Sequence, residues 1–235
     1  MQQVDLFGNE IPLNPKGKKS AAKKVEQEAG NLFEEIVDPS WHIAPDWAKS
    51  RSLDELNKKI CECQKCSLGR TRTNFVFGVG DPHAEIVLIG EAPGADEDEQ
   101  GEPFVGRAGQ LLNKILAAIN LKREEVYICN ILKCRPPNNR DPLPAEVDAC
   151  EPYLVKQLEI MKPKLILALG RIAGQTLLRT TAGLAELRGG VHDYHGIKLM
   201  VTYHPAALLR NPQWKRPTWD DVRLFRKLYD EMRNE

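Results

Sequence analysis

The stretch "AEIVLIGEAPGADEDEQGEPFVGRAGQLLNKILAAI", residues 84–119, decides the fold. It opens with an apolar run ending at Gly90, the pattern of a strand buried on both faces. It closes with Leu111, Leu112, Ile115, Leu116 and Ile119 on one helical face. The loop between them is rich in glycine, and a glycine loop leading from strand to helix usually cradles phosphate. Here it holds six carboxylates, Glu91, Asp96, Glu97, Asp98, Glu99 and Glu102, and no Lys or Arg before Arg107. Such a loop would repel a phosphate.

Strands and helices alternate outward from this unit. "VYICNIL" (126–132), "KLILALG" (164–170) and "IKLMVTYHP" (197–205, ending in a sharp turn) read as strands. "SLDEL" opens a helix with Ser52 and Glu55 at capping-box spacing. "PAEVDACEPYLVKQLEIM" (144–161) is a helix with Pro144 in its first turn and a kink or break expected at Pro152. "RIAGQTLLRT" is a short helix, and "TWDDVRLFRKLYDEM" (218–232) closes the chain as another. This alternation predicts an α/β fold whose parallel sheet is covered on both faces. Ligands of such sheets bind at the carboxyl ends of the strands. Three exits converge there, from Gly90, from Asn130 and from His204.

Residues 8–45 differ. "NPKGKKSAAKK" holds five Lys between 16 and 24, "VEQEAGNLFEEIVD" is acidic, and no hydrophobic period is sustained. The expected division is a flexible segment 1–45 and a folded domain 46–235. The chain of 235 residues is 42% hydrophobic and has no net charge. A purely electrostatic nucleic-acid binder would be basic overall, so any such contact has to use local patches. No apolar run reaches the roughly 20 residues of a membrane span, and the N-terminus lacks a signal pattern. A cytoplasmic monomer is expected.

Six cysteines follow, Cys61, Cys63, Cys66, Cys129, Cys134 and Cys150, and in a reducing cytosol they suggest a metal site over disulfides. Cys63 and Cys66 form a C-x-x-C knuckle. With Cys134 and Cys150 they make a four-thiolate set suited to zinc or an iron–sulfur cluster. The alternative is that Cys134 and Cys150 are core residues. Cys129, inside an apolar strand, reads as a core thiol, and Cys61 is set aside.

Four motifs act together: "CQKCSLG" (63–69), "GEAPGADEDEQGEPFVGRAGQLL" (90–112), "NILKCRPPNNRDP" (130–142) and "TYHPAALLR" (202–210). In sequence and order they closely resemble the iron–sulfur uracil-DNA glycosylases of family 4, over roughly residues 52–232. The resemblance implies a three-layer α/β/α fold with a central, mostly parallel four-stranded sheet. It also implies removal of uracil from DNA. The [4Fe–4S] ligands it implies are Cys63, Cys66, Cys134 and Cys150, although thiol chemistry alone also admits zinc.

The resemblance also gives the glycine loop a purpose, gripping a flipped-out base. The uracil-contacting positions it implies are Gly90, Glu91, Ala92, Phe104, Asn130 and His204. Phe104 offers a flat face for stacking. The Asn130 amide can donate to uracil O4 and accept from N3–H, and cytosine presents the opposite pattern. His204 is expected to donate to uracil O2 as negative charge develops there. Family 1 enzymes have an aspartate base where this chain has Ala92, which implies a dissociative mechanism. Glu91 and Glu97 are the carboxylates expected to help electrostatically, with Asn139 orienting water. For DNA, Lys133, Arg135 and Arg140 form one basic patch, and Arg210, with Lys215 and Arg216, forms another. Leu208 or Leu209 is expected to wedge into the gap left by the flipped nucleotide. Two alternatives stand beside this reading. A uracil-trapping protein would carry a histidine-containing insertion after the Asn130 strand, and "RPPNNRDPLP" has none. A small iron–sulfur electron carrier would leave the base-pocket motifs without a purpose.

At the other end, "QVDLF" (3–7) resembles the short peptide by which bacterial repair proteins hold the sliding clamp. Leu6 and Phe7 can fill an apolar pocket, Gln3 can hydrogen-bond at a second one, and Asp5 keeps the motif's polar position. A peptide of residues 1–12 is expected to bind the clamp at micromolar strength, about −8 kcal/mol at most. Leu6→Ala with Phe7→Ala should abolish that binding in a fluorescence titration while excision from short oligonucleotides persists. Loss of excision would place the segment in the catalytic fold instead.

Overall fold

A computed structural model describes residues 45–234. The expectations for the linker and for the peptide at 3–7 lie outside the described residues. A six-stranded sheet carries the order β1-β3-β2-β4-β6-β5. Its strands are β1 (Val79–Gly80), β2 (Ile86–Gly90), β3 (Tyr127–Asn130), β4 (Leu165–Leu169), β5 (Val191–Tyr194) and β6 (Ile197–Thr202). The inner four, β3, β2, β4 and β6, run parallel and are the four the sequence predicts. The short strands β1 and β5 add antiparallel edges. β5 and β6 form a hairpin whose two turn residues, His195 and Gly196, both take positive φ (52° and 82°), as a twist-matched two-residue turn requires.

The helices are α1 (Leu53–Ile60), α2 (Ala95–Gln100), α3 (Arg107–Ala118), α4 (Pro144–Met161), α5 (Arg171–Leu177), α6 (Leu184–Leu187), α7 (Pro205–Arg210) and α8 (Lys215–Arg233). β2, β3 and β4 are buried at every residue, which their unbroken apolar runs require. One face of the sheet, with Val87, Ile89, Cys129, Ile166, Ala168 and Val201, packs with residues of α1, α4, α5 and α6. The opposite layer contains α3 and α8. Arg226 of α8 donates to the carbonyls of Ile119 and Asn120 just past α3, and Tyr229 donates to Glu85 just before β2.

Two local expectations change. Ser52 caps α1 by accepting from the Glu55 N–H at 3.2 Å, but the Glu55 carboxylate takes the Arg51 N–H at 2.9 Å, so only half of the capping box forms. α4 runs through Pro152 without a break. The residue four positions earlier, Asp148, is exposed, so water can satisfy the carbonyl that the proline leaves without a partner.

α3 begins hard against the loop before it. A Cβ on Gly109 would overlap the backbone carbonyl of Phe104. Alanine is the better helix former by about 1 kcal/mol. Overpacking against backbone costs about 1–3 kcal/mol or more, and this cost prevails. Gly109→Ala is therefore expected to lower the urea midpoint, and an unchanged or raised midpoint would refute the close approach.

Candidate active site and thiol cluster

The strand exits meet around a cavity of about 330 Å³, the small end of the range for ligand pockets. Its walls include Glu91, Ala92, Phe104, Asn130, Asn139 and His204. Gly90 lies beneath, paired across the sheet with Asn130. A Cβ at Gly90 would run into the Asn130 Oδ1 and would stand 2.7 Å from the Phe104 ring. The Asn130 side chain is buried, and its Oδ1 has no hydrogen-bond partner. An unsatisfied buried acceptor is rare and costly, and it marks a place where a ligand supplies the donor.

Phe104 is buried and takes φ 54°, a left-handed conformation that costs a bulky residue about 1–3 kcal/mol. Its surroundings hold it there. Glu97 Oε1 accepts from the N–H groups of Val105 (3.0 Å) and Gly106 (3.1 Å), and its Oε2 accepts from Gly94 N–H at 3.1 Å. Arg123 Nη2 donates to Pro103 O at 2.5 Å. Asp98, also buried, accepts from Thr73 N–H at 2.9 Å and Asn74 N–H at 3.4 Å. Two of the loop's acids thus bind backbone amides and fasten the loop around Phe104. Glu97, expected as an electrostatic helper, has both oxygens committed to this bracing.

His204 stands before α7 and caps it, its Nδ1 accepting from Ala206 N–H at 3.2 Å. That bond leaves the proton of a neutral ring on Nε2. Desolvation, and secondarily the nearby charge of Arg210, push its pKa down to about 4, so the ring is neutral at neutral pH. The ring lies 5.3 Å from that of Phe104, tilted by 31°. Glu91 is driven the other way. Burial, then the charge of Asp141, raise its pKa to about 7, with Arg171 opposing.

Two expected DNA contacts, Lys133 and Leu208, do not survive, and two arginines have partners within the protein. Lys133 is fully buried, its ammonium donating to Asn130 O (2.8 Å) and Gln157 Oε1 (2.6 Å), so it cannot reach a phosphate. Leu208 is buried at 1% exposure and cannot wedge, whereas Leu209 is 39% exposed. Arg140 is spent on a two-pronged pair with the buried Glu146 carboxylate (2.9 and 2.6 Å). Arg135 Nε donates to Asn139 Oδ1 at 2.8 Å, which occupies part of both side chains. Arg210 is exposed at the cavity rim. The sequence reading missed Asp141, which lines the cavity, and Arg171, which pairs with it at 3.0 Å. Arg171 follows the exit of β4. The rule that drew attention to the other three exits applies equally to this one.

The four expected thiols are linked through their neighbours. Arg72 Nη1 donates to Cys63 O (2.6 Å) and to Cys134 Sγ (3.3 Å). Tyr153 OH donates to Cys63 Sγ at 3.3 Å, and the Lys133 N–H to Cys150 Sγ at 3.3 Å. Cys63 and Cys66 act electrostatically on Cys134, and Cys134 and Cys63 on Cys150. Among the described residues, no three His, Cys, Asp or Glu side chains stand close enough to hold a single ion. A cubane cluster spaces its thiolates over four irons, wider than the ligands of one ion. The donor set and the hydrogen bonds to its sulfurs fit that larger group. Cys129 is buried within β3, and Cys61 Sγ faces Lys58 O at 3.7 Å, so both stand apart from the set.

Residues 77–228 match the family model of the Uracil DNA glycosylase superfamily. The chain is 48% identical over 187 residues to a type-4 uracil-DNA glycosylase of Archaeoglobus fulgidus, covering 75% of this chain and 93% of that protein. It is 44% identical over 181 residues to one of Pyrobaculum aerophilum, covering 74% and 92%. No helix among the described residues is long and apolar enough to cross a membrane. By the family match over residues 77–228 and the identity to these relatives over about three quarters of its length, the chain belongs to the uracil-DNA glycosylase superfamily and, within it, to the type-4 enzymes.

Proposed function

We propose that this enzyme takes a uracil flipped out of DNA into the cavity and hydrolyses its N-glycosidic bond, the opening step of base excision repair. The observation that carries the reading is the buried, unpartnered Asn130 Oδ1. Uracil N3–H is the donor it lacks, and the amide nitrogen can donate to O4. Phe104 stacks on the base. The glycosidic C–N bond breaks with its electron pair passing to uracil N1, and the charge spreads to O2. His204 is neutral with its proton on Nε2, so it donates to O2 without having to lose a charge. The slot that would hold a strong base is Ala92. Glu91 then serves by its charge, steadying the cationic sugar that water attacks, with Asn139 near the water's approach. Glu97 acts at one remove, by holding the loop. On the DNA side, Arg210 is exposed at the rim and serves a phosphate, and its exposed chain neighbour Leu209 enters the vacated stack.

Cys63, Cys66, Cys134 and Cys150 are the residues that would hold a [4Fe–4S] cluster, which when bound cross-links their three segments through iron–thiolate bonds. The Leu6–Phe7 peptide adds a tether to the sliding clamp.

Three outcomes test this. Purified protein is expected to carry about four irons per chain with broad visible absorbance, and stoichiometric zinc in place of iron would overturn the ligand assignment. Asn130→Asp loses the amide donor, so uracil excision should fall by the equivalent of about 1–3 kcal/mol or more. Excision at the parent rate would remove Asn130 from base reading. For Glu91 the sign is fixed by its raised pKa. Between the ordinary value of 4.5 and about 7 the folded state holds a proton that the unfolded chain has released. The contribution of this group to stability therefore falls as pH rises through that window. The active anion forms at the top of it, so single-turnover excision should climb from about pH 6 to about pH 8. Glu91→Gln should flatten both slopes, and an unaltered rate profile would exclude Glu91.

A further inference from the structure

Lys133 is buried with no exposure, and no carboxylate pairs with it among the described residues. Burial pushes the Lys133 amine's pKa down, and a buried polar group of this kind is retained by its hydrogen bonds. We propose that Lys133 is a positioning residue for base recognition, holding Asn130 in register with the thiol-bearing segments. The inference rests on the reading of Asn130 as the base reader.

The geometry is specific. Beyond Asn130 the β2–β3 ladder continues with Ile131 N–H on Gly90 O and Leu132 N–H on Glu91 O, both at 3.0 Å. On the other side of β3, β1 reaches only Tyr127 and Ile128. The Asn130 carbonyl therefore lies past the end of the edge strand and needs a donor from elsewhere. Lys133 Nζ supplies it at 2.8 Å. The ammonium is anchored in turn by Gln157 Oε1 at 2.6 Å, and Gln157 Nε2 donates to Phe77 O (3.0 Å) and to Tyr127 OH (3.3 Å). Gln157 belongs to α4, the helix that carries Cys150. The backbone N–H of the same lysine donates to Cys150 Sγ. One residue therefore grips the backbone of the base reader with its side chain and a thiol with its main chain. A displacement of Cys150 is carried to Asn130 through a single packed residue, and the unpartnered Oδ1 has its aim fixed from behind.

The test is a double-mutant cycle on the iron-loaded protein, read as single-turnover release of uracil from DNA. Lys133→Met keeps the stem and removes the donors. It is expected to lower the rate at least tenfold in the parent. In the Asn130→Ala background it should change the rate less than twofold, because the group it aims is gone. Iron content and thermal midpoint are measured on each variant. An equal loss in both backgrounds would show a merely structural role and overturn the inference, as would no loss in the parent. If Asn130→Ala alone excises uracil at the parent rate, it is the reading of Asn130 that fails. Should Lys133→Met not fold, Gln157→Leu, which removes the anchor of the ammonium, enters the same cycle. A loss confined to the parent background supports the inference, and an equal loss in both overturns it.

Discussion

The active site depends on one close approach. β2 and β3 end side by side at Gly90 and Asn130, and the absence of a Cβ at Gly90 leaves the space in which the Asn130 amide and the Phe104 ring meet. Any side chain there would displace one of them. The rest of the loop follows from keeping Phe104 over that gap. Its left-handed backbone is strained, and three separate features oppose relaxation. They are the Glu97 carboxylate across the loop's two ends, the Arg123 guanidinium on Pro103 O, and the bare backbone of Gly109 against the Phe104 carbonyl. Each is worth about as much as the strain of one residue, so the three together hold the loop's shape with a margin.

The same arrangement settles how charge is managed. A glycine loop with six acids would be hostile to a nucleic acid if the acids faced outward. Glu97 and Asp98 face inward to backbone N–H groups, and beside the base-facing Phe104 and Asn130 stand a neutral imidazole and a carboxyl with a raised pKa. His204 therefore meets a neutral base without a charge of its own. A donor in a dry site stabilises charge that appears only as the bond breaks, which is where a catalyst's interactions are most effective. Protonating His204 in advance would draw solvent and counter-charge into that site.

The architecture was legible because it rests on periodicity. The four inner strands are apolar runs between helical patterns, and a parallel sheet buried on both faces has no other signature. The two-residue edge β1 and the hairpin strand β5 were not, since strands this short leave no period to count. The chemically informative loops were legible through their motifs, and the structure brings Glu91, Ala92, Phe104, Asn130, Asn139 and His204 to one cavity. What failed was the reading of charge. "KCRPPNNR" looks like a basic patch in one dimension. Its lysine is turned inward to satisfy a carbonyl, and one arginine is neutralised by a glutamate six residues on. Which way a long side chain turns is decided by tertiary packing, and no local pattern records it.

The loss of those charges bears on how DNA is held. The chain as a whole has no net charge, and several guanidinium groups near the strand exits are tied to carboxylates or to amides. Long-range attraction to phosphates then supplies a smaller share of binding than in a strongly basic protein. On the proposed reading, more comes from contacts made only when a nucleotide has left the stack, with Phe104, Asn130 and the exposed Leu209. On that reading, the interactions that select the substrate are offered only to an extruded base.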